Sequence, residues 1–507
     1  MRAMRAGQTA EGMGARPTVI LRACPSYDVA RVRAIVREGL EELGLRPHGR
    51  TLVKPNLVSS GALFANAYTR SEFMEGVLLA LRDRDHGRMT ELAVGERSGI
   101  TIPTRYAYAK ADYNPVLRRT GAKRYCFEEE RQVEVPLRHA DRLRDSVFVP
   151  QSVTSTDFFV NCPKFKGHPW TTVTFSMKNF IGIQDDRHRM IDHHHRLNAK
   201  VVDLQHVIQP DFIALDGIVA GQGAMLTPIP FDLQLVVMGD NQVALDAVCC
   251  TIIGVDPGTV EHIRSAHEHG LGPIDLAGID ITGDVELAEA RRRARGFKVG
   301  LARVEEYFEG TTISCYAGPP TEDGVPDYCW GGCPGALIEA IQVLRRFDSQ
   351  TDRKMPRIHL VFGAYAGKIP AKSGERVIFV GDCATWKGEV AGREVTIERL
   401  PLSPTLTDPH HARHDDIYAK MAKVTWRLMR ARGENHLRLR GCPISVAEMV
   451  LVLSHVSGAK NPYFDPRIVL DFNRGYLAWR LAALRRGRYQ EPPGRAEAWH
   501  AAPHGRP

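Results

Sequence analysis

Four thiols carry the densest chemistry in this chain. Tyr328-Cys-Trp-Gly-Gly-Cys-Pro-Gly335 sets Cys329 and Cys333 directly before a stretch in which Leu337, Ile341 and Leu344 recur at helical spacing. Pro334 suits the first helical turn, and the unpaired amides of a helix starting there favour a thiolate at Cys333. Cys383 follows the apolar run Val377-Ile-Phe-Val380, within Gly381-Asp-Cys-Ala-Thr-Trp-Lys-Gly388. Cys442 follows Leu437-Arg-Leu-Arg-Gly441 and precedes Ser445 and Glu448, a capping box that opens another helix. Each thiol is expected in a loop at the C-terminal edge of a strand, where the ligands of an open α/β sheet collect. Thiolates gathered there would hold an iron–sulfur cluster or a structural zinc, and inert core cysteines are the bland alternative.

A second constellation is cationic. In Phe158-Phe-Val-Asn-Cys-Pro-Lys-Phe-Lys-Gly-His168 a strand ends at Pro163, and Lys164, Lys166 and His168 then alternate. Extended backbone sends all three to one side. Lys54 and Asn56 close an earlier strand, and Lys178 and Asn179 follow in Ser176-Met-Lys-Asn-Phe-Ile-Gly182. Asp216, Asp240 and Asp246 also lie at or just after the ends of apolar runs, and Asp203 follows an apolar pair. Together these residues predict a crevice for a small anion, a carboxylate or phosphate held by charge-assisted bonds. Lys178 or His168 would act there as general acid, since crowded cations lower a lysine pKa. The competing reading pairs the lysines with the aspartates as structural ion pairs. The run Asp185 to His195, with His188, His193, His194 and His195, would hold a metal or shuttle protons, or be a solvated loop.

These residues need strands and helices in alternation, and the chain supplies them. Val19-Ile-Leu-Arg and Thr51–Val58 read as strands, Asp28–Leu43 and Ser71–Asp83 as helices, and Glu91–Gly95 as a third strand. Alternation at this spacing predicts α/β structure with mainly parallel sheets. Two such domains fit the 507 residues, about 17–285 and 300–460, followed by a basic tail, 461–507. Leu477, Leu481 and Leu484, in a short amphipathic helix of that tail, would cover the core or a subunit contact of a homo-oligomer.

Composition bounds the function. The sequence is 43% hydrophobic and 25% charged, ordinary for a soluble protein, and no apolar run is long enough to span a bilayer. Met1–Arg16 reads as disordered, and no secretory leader is visible, so the cytoplasm is the expected compartment. Ten scattered cysteines argue for available thiols rather than a disulfide scaffold. Much of the net charge of +8 lies between Arg474 and Pro507, where seven arginines face Glu491 and Glu497, so no nucleic-acid partner is expected. No P-loop and no GxGxxG after a strand is present, and the radical-forming CxxxCxxC motif is missing; flavin leaves no sharp signature and stays open.

The order CxxxC, GxCATxxG, GCP-helix resembles the small subunit of nickel–iron hydrogenases and the cluster-bearing subunit of respiratory complex I, over about residues 311–456. The resemblance implies a flavodoxin-like domain with one [4Fe-4S] cluster, its ligands here Cys329, Cys333, Cys383 and Cys442. The first pair has three intervening residues where that pattern has two, and Cys315 is the substitute for Cys329. A second resemblance, over about 18–284, rests on Val53-Lys-Pro-Asn56, Pro163-Lys-Phe-Lys-Gly-His168, Ser176–Gly182, Asp216-Gly217 and Gly239-Asp240 through Ala244, Asp246 and Ala247. It is to a family catalogued as a domain of unknown function, number 362, whose members are frequently joined to ferredoxin-type cluster modules. The combined expectation is an iron–sulfur reductase that takes electrons from a ferredoxin-like donor and passes them to the anion bound by the lysines. A non-catalytic electron-transfer or cluster-carrier protein, and a non-redox lyase or transferase with a structural zinc, are the alternatives.

Overall fold

The structure, a computed structural model, describes residues 16–61, 64–185, 189, 196–320, 327–330, 332–401, 417–431, 433–485 and 494–495. The chain forms two compact units, one of residues 1–185, 198–300 and 474–507, the other of 186–197 and 301–473. Both are α/β with mainly parallel sheets.

The first unit contains β1 (Thr18–Ala23), β2 (Gly49–Pro55), β3 (Met89–Glu96), β4 (Lys123–Cys126), β5 (Gln132–Pro136), β6 (Ser146–Pro150), β7 (Phe158–Cys162), β8 (Lys164–His168), β9 (Thr172–Val173), β10 (Phe212–Gln222), β11 (Ile229–Gly239) and β12 (Asp280–Gly283). Its large sheet runs β12-β1-β11-β10-β7-β2-β3-β4, with β8 and β9 attached beside β10. Only β11 on that path runs antiparallel to its neighbours. The helices Val29–Glu42 and Ser71–Asp83 place Val32, Ile35, Val77 and Leu81 in one core with the strand residues Ile20, Val53 and Val94. Each such side chain, fully withdrawn from water, contributes about 1.5–3 kcal/mol. Asp28 accepts from the Arg31 amide at 2.7 Å and so caps the first helix.

Two expectations for this unit change. β5 and β6 form an antiparallel hairpin that the sequence reading passed over although Gln132-Val-Glu-Val135 alternates polar and apolar residues, with Leu137 N–H donating to Asp145 O at 2.8 Å across its loop. The presumed tail contains a 20-residue helix, Pro466–Arg485, in which Trp479 is 1% exposed and lies beneath the Arg97 guanidinium. Leu477, Leu481 and Leu484 do not cover the core: they are among the exposed apolar residues, while Trp479 and Ala483 form the buried face. Among the described residues no helix is long and apolar enough to cross a membrane.

The second unit contains β13 (Ile313–Ala317), β14 (Ile358–Ala364), β15 (Arg376–Val390), β16 (Arg393–Ile397) and β17 (His436–Leu439). β13, β14, β15 and β17 lie side by side and parallel, in chain order, whereas the flavodoxin order is 2-1-3-4-5. β16 pairs antiparallel with the far half of β15. β15 does not stop at Val380. It bends at Gly381, whose φ of 96° is left-handed, and continues to Val390 because Ala384, Trp386 and Val390 again alternate into a core. Cys383 therefore sits just past a bend in a strand, not in a free loop.

Candidate metal centre and buried cation network

The parallel strands of the second unit lead, at the ends of β13, β14 and β17 and at the bend of β15, onto one cavity. Cys329, Cys333, Cys383 and Cys442 all line it, together with Tyr328, Phe362, Val380 and Pro443. Cys315 does not line it: it lies inside β13, paired in register with Leu360, and burial raises its thiol pKa well above the ordinary range.

Each thiol is placed by an identifiable device. Cys333 opens the helix Cys333–Arg345, with Pro334 in its first turn, and its sulfur accepts the Ile444 N–H at 3.3 Å. The capping box forms as expected: Ser445 Oγ accepts from Glu448 N, and the Glu448 carboxylate accepts from Ser445 N, which fixes the chain after Cys442. Asp382, 3% exposed, receives the Gly441 N–H at 3.1 Å and donates its own N–H to Gly441 O at 3.1 Å, lacing the Cys383 and Cys442 segments together. The Arg438 guanidinium donates to the carbonyls of Gly381, Asp382 and Ala384 at 3.2, 2.9 and 3.1 Å. Sequence reading found the thiols but neither Asp382 nor Arg438 as the residues that hold them.

Two glycines keep the sulfurs clear. A Cβ on Gly381 would lie 3.4 Å from Cys333 Sγ and 3.7 Å from Cys383 Sγ, in the space between two prospective ligands. A Cβ on Gly332 would come within 2.5 Å of Cys329 Sγ. Burial and the adjacent Cys383 and Cys329 raise the Cys333 thiol well above the ordinary range, against the lowering pull of the Ile444 N–H. A thiol so placed stays protonated unless a cation shares the cavity, and a coordinated metal ionises it outright.

The lysines of the first unit come together, but not around an open crevice. Lys54 is 0% exposed and donates to Glu96 at 2.9 Å, to Pro55 O at 2.9 Å and to Asn179 Oδ1 at 3.2 Å. Asn179 in turn donates to Asn161 Oδ1 and to Pro55 O. Lys164, also fully buried, donates to Asp216 and to Tyr27 Oη, each at 2.8 Å. Lys166 is tied to the carbonyls of Ala67 and Met225. His168 Nδ1 accepts from the amides of Trp170 and Thr171, leaving Nε2 facing Met225 Sδ at 3.2 Å. Burial lowers the Lys164 pKa, with Asp216 opposing it. The geometry is that of satisfied buried ion pairs, the alternative weighed for these residues. Glu96, which ends the strand beside Lys54, was missed, although it stands at the same sheet edge.

The remaining acids lie elsewhere. Asp240 is exposed and accepts the Thr18 N–H at 3.1 Å, so it helps to close the β1–β11 edge rather than to line a crevice. Asp203 engages His139, not a lysine. Asn56 is buried, its N–H donating to Thr69 Oγ1. Lys178 lies on the 3-10 turn Met177–Ile183, largely buried. The histidines of the Asp185–His195 run, His188, His193, His194 and His195, lie outside the described residues.

Asp246 holds the start of that turn, accepting from Ser176 N at 2.8 Å, Met177 N at 3.0 Å and Ser176 Oγ. Burial pushes its carboxyl up to about 7, against those bonds. Because the folded value lies above the unfolded one, the stability this group contributes is fully present below about pH 4 and is lost as pH rises through about 7. Urea unfolding of the Asp246→Asn variant is therefore expected to show a flatter fall in stability between those pH values, by at most on the order of 4 kcal/mol. An unchanged slope would assign the titration to other groups.

Comparison with known proteins finds three likenesses. Against solved structures, the chain matches the lactate racemase apoprotein from Thermoanaerobacterium thermosaccharolyticum with a TM-score of 0.33 and 10% identity, over 87% of this chain and 81% of that one. In sequence it is 26% identical over 263 residues to the thylakoid-associated protein sll1697 of Synechocystis sp., spanning 49% of this chain and 78% of that protein. Residues 51–251, which hold Lys54, Lys164, Lys178, Asp216 and Asp246, match the family model described as "Domain of unknown function (DUF362)".

Proposed function

We propose that this chain is an iron–sulfur redox protein whose second unit binds one [4Fe-4S] cluster through Cys329, Cys333, Cys383 and Cys442. One observation carries the reading: four thiols from three separate segments of the chain line a single cavity. Zinc fits less well. At a Zn–S distance of about 2.3 Å, tetrahedral thiolates stand roughly 3.8 Å apart. Among the described residues no three of the four sulfurs lie within 4.8 Å of one another. A cubane cluster sets its thiolates roughly 6 Å apart.

When bound, such a cluster supplies single-electron transfer. The chain's own residues then have distinct parts. The Ile444 N–H bonds to the Cys333 sulfur, an interaction that favours the reduced, more negative state. Arg438 and Asp382 hold the Cys383 and Cys442 segments in register. Phe362, Val380 and Pro443 present apolar surface to the cavity. The buried Lys54–Glu96 and Lys164–Asp216 pairs act as scaffold in the first unit, so electron transfer with a ferredoxin-class partner is favoured over reduction of an anion held by those lysines.

Anaerobic purification followed by iron and sulfide analysis tests this. About four irons and four sulfides per chain are expected, with an electron paramagnetic resonance signal appearing on dithionite reduction. One zinc per chain and no sulfide would replace the cluster by a structural metal.

A further inference from the structure

Apart from the thiol cavity and the lysine pairs, three histidines from separate elements meet in the first unit. His139 lies in the loop between β5 and β6, His206 follows the helix Leu197–Gln205, and His269 ends the helix Glu261–Glu268. One ring nitrogen of each lies within 4.8 Å of the other two. His206 Nε2 is 3.1 Å from His269 Nδ1, and the His139 ring stacks on His206 with centroids 3.8 Å apart.

A carboxylate orients the group. Asp203 accepts from His139 Nε2 at 2.8 Å, while its other oxygen receives the Leu143 N–H at 3.1 Å, so the carboxylate is itself anchored. That bond places the His139 proton on Nε2 and leaves the lone pair on Nδ1. The His139 side chain is only 8% exposed, and its Nδ1 has no hydrogen-bond partner among the described residues. A buried acceptor without a donor is unfavourable, and the ring that carries it lies in a cluster of imidazoles rather than alone.

We propose that His139, His206 and His269 form a binding site for a divalent cation of the zinc class, with Asp203 as the positioning carboxylate. Imidazole donors suit zinc and its transition-metal neighbours rather than magnesium or calcium. An Asp–His–metal arrangement fixes tautomer and ring orientation in such sites. Tetrahedral nitrogens bound at about 2.0–2.1 Å lie roughly 3.4 Å apart, so closing the trio from its present spacing needs rotation of the stacked rings about Cβ–Cγ and a shift of about 1 Å. Three neutral imidazoles leave a fourth position for water, the donor count of a hydrolytic or hydrating centre rather than of a closed structural one.

The full-length chain, purified anaerobically and cleared of loosely held metal with a chelator, can be titrated with Co²⁺ and then Zn²⁺. The expected result is one Co²⁺ per chain with visible d–d bands, no sulfur-to-metal charge transfer, and displacement by Zn²⁺. His206→Ala and His269→Ala should each weaken binding about 100-fold or more, and Asp203→Asn about 10–100-fold, while Cys333→Ser leaves it unchanged. On the unsubstituted chain, Zn²⁺ should protect all three histidines from carbethoxylation by diethyl pyrocarbonate, read by mass spectrometry. Binding free of thiolate charge transfer that survives both histidine substitutions, or carbethoxylation unaffected by Zn²⁺, would each overturn the site. Neither outcome depends on the cluster assignment.

Discussion

Replacing Cys383 with serine is expected to reduce iron from about four per chain to near zero and to abolish absorption near roughly 400 nm, while Cys315→Ser keeps both. The contrast is the decisive part, because both residues are cysteines on parallel strands of one sheet. Cys383 lines the cavity beyond the bend at Gly381, whereas Cys315 is enclosed within β13. Arg438→Ala should fall between them, with cluster retention lowered about 10–100-fold, since the carbonyls of Gly381, Asp382 and Ala384 lose their shared donor. Equal iron in the Cys383 and Cys315 variants, measured by colorimetric iron and sulfide assay, would remove the cavity from the account.

The second large effect concerns the first unit. Lys164→Met is expected to destabilise that unit by about 3–5 kcal/mol, because Asp216 is left with its charge in a site where both partners are 0% exposed. Tyr27 Oη donates to Asp216 at 2.9 Å and the Arg70 amide at 3.2 Å, which softens the loss without replacing the cation. The double variant Lys164→Met/Asp216→Leu should recover much of it, as removing both charges removes the unpaired one. Hydrogen exchange read on peptides of β8 and β10 follows this unit specifically. A loss below about 1 kcal/mol would mean that water reaches the pair, and would revive the anion-binding reading.

What could be read in advance followed from local rules. The helix at Cys333 was legible from Pro334 and the Leu337/Ile341/Leu344 spacing, and the Ser445/Glu448 box from its residue types. The strands around Lys54 and Lys164 were legible because β-branched and aromatic runs end in polar residues at one sheet edge. What escaped were partners set by strand order. Glu96 meets Lys54 because β3 lies beside β2, and Asp216 meets Lys164 because β10 lies beside β8. Alternation alone assigned the charged groups to an open crevice because it cannot show that the sheet edge is roofed by the Met177–Ile183 turn. Gly381 was misread as the end of a strand, since a glycine in the left-handed region bends β15 without stopping its pairing. The histidine trio had no local signature at all: its members come from a hairpin loop and the ends of two helices.

The unequal burial of the four sulfurs has a consequence of its own. Cys333 is enclosed, whereas Cys329, Cys383 and Cys442 are half-buried. Tunnelling rates fall steeply with each ångström of intervening matter, so for the cluster we propose these three sulfurs would define the shorter exit for charge, and a partner would best dock over them. The same asymmetry would make them the side from which dioxygen reaches such a cluster, so speed of exchange and fragility in air would be two readings of one geometry.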